Sequence, residues 1–131
     1  MIRLLACALL FAASPLSARS LTVRMGETWL FEVRNGNPVD ARKAAADAVP
    51  TASQLKVSLR PMMGATLIMT NNSRFDYAYR ATLILPSGKS DSSHACVVPA
   101  NGRAAIENWN RPVAAVRIDY FRPAPAGSLC P

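Results

Sequence analysis

Hydrophobic residues at every second position, in short runs stopped by proline, glycine or asparagine, constrain this chain more than any other feature. A helix buries residues three and four apart, whereas a strand buries alternate ones, so period two with frequent punctuation selects strands. The pattern is plainest where Leu55, Val57 and Leu59 alternate with Lys56, Ser58 and Arg60 ahead of Pro61. It is longest from Phe75 to Leu85, with Tyr77, Tyr79, Ala81, Leu83 and Leu85 to one side and Ala78, Arg80, Thr82 and Ile84 to the other.

Further strands are expected at Leu21 to Met25 and Thr28 to Arg34, taken as a first pair broken at Gly26, and at Ala65 to Thr70, His94 to Val98, Arg103 to Asn108 and Val113 to Phe121. Asn35 to Pro38, Asn71 to Ser73, Pro86 to Lys89 and Pro99 to Gly102 supply the turn chemistry between them. Asp40 to Ser53 is rich in alanine and charge; it reads as a short helix over 41–48 or as a loose crossover. Several short strands at about ten-residue spacing predict an all-β fold, an immunoglobulin-like or related two-sheet β-sandwich of about seven or eight strands, with a small barrel as the alternative. The likeness to an immunoglobulin domain is architectural only, because Trp29 precedes both Cys96 and Cys130 and Cys130 lies in the C-terminal tail.

The first twenty residues obey different rules. Arg3 supplies a short positive n-region, Ile2 to Ala13 form an apolar run too short to span a bilayer, and small residues follow. We expect residues 1–20 to be a cleaved export signal and 21–131 to be a single domain, with the mature start at Leu21 or Arg19 and a periplasmic or secreted destination. Leu4 to Cys7 spell a sequence close to a lipoprotein cleavage box, but too few residues precede Cys7 to form its hydrophobic region. After cleavage no apolar stretch is long enough for a transmembrane helix. Cys96 and Cys130 then remain, and an even pair in an exported protein is expected to form one disulfide. Closing that loop contributes about 4 kcal/mol in the chain-entropy model and would pin the tail from Arg122 to Pro131.

Loss of Arg3 and Arg19 lowers the formal charge from +7 to +5. Arginines spread along the chain, without a basic stripe carrying interleaved aromatics, argue against nucleic acid as a partner. An anionic envelope component remains compatible with the charge, as does an envelope protein. Catalytic equipment is sparse: His94 is the only histidine, no G-x-S-x-G elbow is present, and the spacing pairs no carboxylates. The expectation is a non-enzymatic binding or protein-interaction module with no cofactor. Strand addition at a sheet edge is its natural mode, and the turn residues Met62, Met63, Trp109, Asn110 and Arg111 are its candidate contacts. A Cu(I)-handling protein is the alternative, with Met62, Met63 and His94 as weak candidate ligands, because thioether and imidazole suit a soft ion. Asn71, Asn72 and Ser73 also spell an N-glycosylation sequon.

Overall fold

A computed structural model describes residues 20–125. Nine strands follow one another: β1 (Ser20–Arg24), β2 (Thr28–Arg34), β3 (Asn37–Lys43), β4 (Leu55–Arg60), β5 (Ala65–Asn71), β6 (Tyr77–Ile84), β7 (Ser90–Ser93), β8 (Arg103–Trp109) and β9 (Ala115–Pro123). They form two antiparallel sheets, ordered β1-β9-β6-β7 and β3-β2-β4-β5-β8. The all-β, two-sheet reading of the sequence therefore holds, with nine strands among the described residues in place of seven or eight.

The alternation places the core. Leu55, Val57 and Leu59 of β4, Ala65, Leu67 and Met69 of β5, and Tyr77, Tyr79, Ala81 and Leu83 of β6 all face inward and are buried. Phe121 of β9 joins the sheets through rings: its centroid lies 5.6 Å from Phe31, 6.0 Å from Tyr77 and 5.5 Å from Tyr79. Each such fully buried side chain contributes about 1.5 to 3 kcal/mol of transfer free energy. Burial also pushes the Tyr77 and Tyr79 phenols above their ordinary range, with the negative Glu107 adding to the effect at Tyr79.

Leu21–Met25 and Thr28–Arg34 do not pair with each other. β1 pairs with β9 and β2 with β3 and β4, so the chain changes sheets at Gly26 (φ +86°). Alternation tells which face is buried and says nothing about the partner strand. Glu27 clamps this corner: its carboxylate accepts the Arg24 N–H at 2.8 Å and the Trp29 indole N–H at 3.5 Å, and pairs with Lys43 Nζ at 2.7 Å. The Lys43 hydrogen bond, with those from Arg24 and Trp29, holds this carboxyl below its usual value.

The Asn35–Pro38 turn signal contracts to Asn35 and Gly36, both at positive φ (50° and 79°), which closes a two-residue hairpin; Asn37 and Pro38 enter β3. Pro38 is tolerated because β3 is an edge strand. Residues 41–43 continue β3, and no helix covers 41–48. The connection instead runs as a crossover from Ala44, whose N–H donates to Thr28 O at 2.9 Å. Pro61 ends β4 as expected, and Ala65–Asn71 is β5, with Ile68 only half-buried on its second face.

The other correction falls on residues 90–98. Asp91, Ser92 and Ser93 belong to β7 although their composition suggests loop, and of His94–Val98 only Val98 bridges a strand, exchanging two backbone bonds with Tyr77 at 2.8 and 3.1 Å. The tight turn over Leu85 to Lys89 sets Ser90 opposite Ile84 directly, and an edge strand exposed on both faces needs no apolar pattern. Two bulges complete the fold, each two residues facing one: Asp40 and Ala41 opposite Phe31, and Tyr120 and Phe121 opposite Tyr79. Asp40 and Tyr120 both take φ +52° there. The expected leader and Cys130 lie outside the described residues, apart from Ser20, which pairs with Asp119 in β1.

Candidate functional site

Among the described residues four edge strands bound the two sheets, and three of them are short or interrupted. β1 and β7 are short, five and four residues, and β3 carries Pro38, a bulge and the charges of Asp40, Arg42 and Lys43. Such devices keep unpaired backbone groups from recruiting another chain. β8 has neither proline nor bulge, and its charges are Arg103 at its first residue and the half-buried Glu107, which is engaged by the Cys96 N–H. It runs seven residues with regular pairing to β5, from Arg103 opposite Asn71 to Trp109 opposite Ala65, and among the described residues no strand lies beyond it. Its midpoint is Ile106, 64% exposed.

The methionine turn lies at the C-terminal end of this edge. Met62 and Met63 are 55% and 83% exposed. Asn108, two residues beyond Ile106 on the same face of β8, fixes them: its side-chain amide N–H groups lie 3.2 Å from each of the Met62, Met63 and Ala65 carbonyls and 2.9 Å from Thr66 Oγ1. Gly64 (φ +94°) makes the approach possible, since a Cβ there would stand 2.2 Å from the Trp109 carbonyl oxygen. Ile106, Met62 and Met63 thus share one border, and they are half of the large exposed hydrophobics among the described residues.

All five contact residues expected from the sequence gather at this end. Asn110 and Arg111 are exposed, and Arg111 Nη1 pairs with Asp91 at 2.8 Å, tying the turn to β7 of the other sheet. Trp109 has a different part. It is half-buried against the core, and its indole N–H donates to Ser93 Oγ at 2.7 Å, so it closes the gap between β8 and β7 rather than standing free. Ile106 was the residue sequence reasoning missed. One isoleucine in a run of small and polar residues carries no signal until its strand proves to be an edge.

His94 is exposed and lines a shallow depression with Tyr79, Arg80, Ser93, Tyr120 and Arg122, whereas Met62 and Met63 lead into β5 of the second sheet. The three candidate copper ligands are therefore carried by different sheets. Among the described residues no three His, Cys, Asp or Glu side chains are grouped to hold a metal, and no helix is long and apolar enough to cross a membrane. Cys96 is half-buried after β7, where its N–H donates to Glu107 Oε1 at 2.5 Å; Cys130, its expected partner, lies outside the described residues. The sequon has a structural use, because Asn71 is fully buried and its amide is engaged by backbone and Ser73.

Comparison with protein-family models, with curated proteins and with solved structures finds no match.

Proposed function

We propose that the mature protein is an exported, non-enzymatic binding module of the cell envelope, and that it receives an extended segment of a partner protein as a further strand beside β8. The observation that carries this reading is the seven-residue β8 edge, free of proline and bulge, with Ile106, Met62 and Met63 exposed along one border. Backbone groups on an open edge supply affinity to any extended peptide, and alternate side-chain positions supply selectivity. Methionine suits the border because its unbranched thioether adapts to more than one partner side chain. In this reading the leader is removed near Ser20, the sandwich is of immunoglobulin-like type, and a Cys96–Cys130 disulfide pins the tail.

Site-specific photo-crosslinking in the native envelope tests it. A photoreactive residue at Ile106 is expected to capture one reproducible partner, and the same residue at Ser87, in the exposed β6–β7 turn, is expected to capture none. Equal capture at both positions, or none at Ile106, contradicts the proposal.

A further inference from the structure

The end of the sandwich opposite the methionine turn is built around buried polar atoms. Asn71 donates its amide N–H groups to the carbonyls of Phe75 at 2.7 Å and Val98 at 3.2 Å, and its Oδ1 accepts the Ser73 N–H at 3.0 Å and the Ser73 hydroxyl at 2.7 Å. Asn72 donates to the Pro50 carbonyl at 2.9 Å, which fastens the same loop to the β3–β4 crossover, and the Asn101 N–H donates to Ser73 O at 2.8 Å. A fully satisfied buried network of this kind fixes one loop geometry.

That geometry holds an aromatic ring out in water. Phe75 is 47% exposed, its ring tilts onto Tyr77 at 6.2 Å, and the Arg74 guanidinium stands 5.3 Å from its centroid. Both residues border a cleft of about 660 Å³, whose walls also include Arg34, Ser53, Asn72, Asn101 and Glu32, the last paired with Arg34 at 3.5 Å. Arg34 is neutralised by Asp40 at 2.5 Å, but none of the ion pairs among the described residues includes Arg74. Ser53 and Asn101 sit at positive φ, 70° and 65°, in the turns that shape the walls.

A part-exposed aromatic ring with the Arg74 guanidinium over it, beside the planar amides of Asn72 and Asn101 and the Ser53 hydroxyl, matches one ligand chemistry well. The apolar face of a pyranose ring needs a flat hydrophobic surface, its hydroxyls need convergent polar side chains, and an acidic substituent needs a forked cation. We propose that this cleft binds an anionic saccharide, with a sugar ring on Phe75, hydroxyls at Asn72, Ser53 and Asn101, and the carboxylate, sulfate or phosphate at Arg74. The site is separate from the β8 edge and does not depend on it.

Titration of the isotope-labelled mature protein with trigalacturonate, followed through amide and side-chain resonances, tests the proposal against maltotriose and sodium phosphate as probes. The expected result is saturable, salt-sensitive shifts confined to residues 72–75, Ser53 and Asn101. Affinity should fall about tenfold in Phe75→Ala and several-fold in Arg74→Gln, with melting unchanged in Arg74→Gln and the spectrum of Phe75→Ala still that of the folded domain. Equal response to maltotriose removes the anionic requirement, and equal response to phosphate reduces the cleft to a simple anion site; either overturns the proposal, as does a flat titration at millimolar ligand. Ile106→Lys should leave the titration unchanged, so failure here is distinguishable from failure of the β8 reading.

Discussion

Replacing Gly64 by alanine tests how the Met62–Met63 turn is seated against the β8–β9 turn. The residue sits at φ +94°, outside the left-handed well that other residues occasionally use, and an L side chain there costs about 1 to 3 kcal/mol in backbone strain. Space adds a second cost: the new Cβ would lie 2.2 Å from Trp109 O, 2.8 Å from Arg111 N and 3.0 Å from Asn110 Cα, all main-chain atoms. Relief requires the two turns to separate by about 1 Å, which stretches the Asn108 bonds to the Met62 and Met63 carbonyls, each contributing about 1 kcal/mol. The expected loss is about 3 to 5 kcal/mol, or about 12 to 20 °C in melting temperature for a domain of this size. Gly88→Ala is the control, since Gly88 has φ +87° but no atom within 4 Å of its would-be Cβ; it should show the strain alone. Urea unfolding of both variants followed by circular dichroism separates the terms. If the two substitutions cost the same within about 0.5 kcal/mol, the close approach of the turns is wrong.

Three further outcomes follow from the same contacts. Asn71→Asp sets an acceptor against the Phe75 and Val98 carbonyls in a fully buried position; unfolding at neutral pH should show a loss of about 3 kcal/mol or more, smaller at about pH 4 where the carboxyl regains a proton to donate. The Glu27 carboxyl is held below its ordinary value by Lys43, Arg24 and Trp29, so its stabilisation is complete above about pH 4.3 and is lost as pH falls through the lower folded value; Glu27→Gln should flatten that acid limb in urea midpoints and leave the slope above about pH 5 unchanged. Cys130→Ser should lower stability by a few kcal/mol if the tail is pinned to Cys96, and thiol titration of the exported wild type should find no free sulfhydryl.

How much was legible in the chain depended on whether a residue's role is set locally. β4 and β6 were plain because their inward faces are apolar throughout, and so was a turn over Asn35–Pro38, but its contraction to Asn35–Gly36 and the strand β3 that follows were not. β7 was not, since an exposed four-residue edge of serine and aspartate has the composition of a loop. The sheet change at Gly26 and the guarded or open state of each edge are properties of assembly, set by which strands meet. For that reason Met62, Met63, Asn110 and Arg111 were found as turn residues, while Ile106 beside them was not. Asn71 shows the opposite error: its sequon was visible, but the reason for asparagine and serine there is a buried hydrogen-bond network that only the closed loop creates.

Amide hydrogen exchange across residues 103–109, compared between the purified mature protein and the same protein incubated with envelope extract, tests strand addition at β8 most directly. The account predicts alternate β8 amides that exchange freely in the purified protein and become protected in extract, with residues 37–43 of the guarded β3 edge unchanged and the protection abolished by Ile106→Lys. Exchange over β8 that is identical in both conditions, or protection that survives Ile106→Lys, would contradict it.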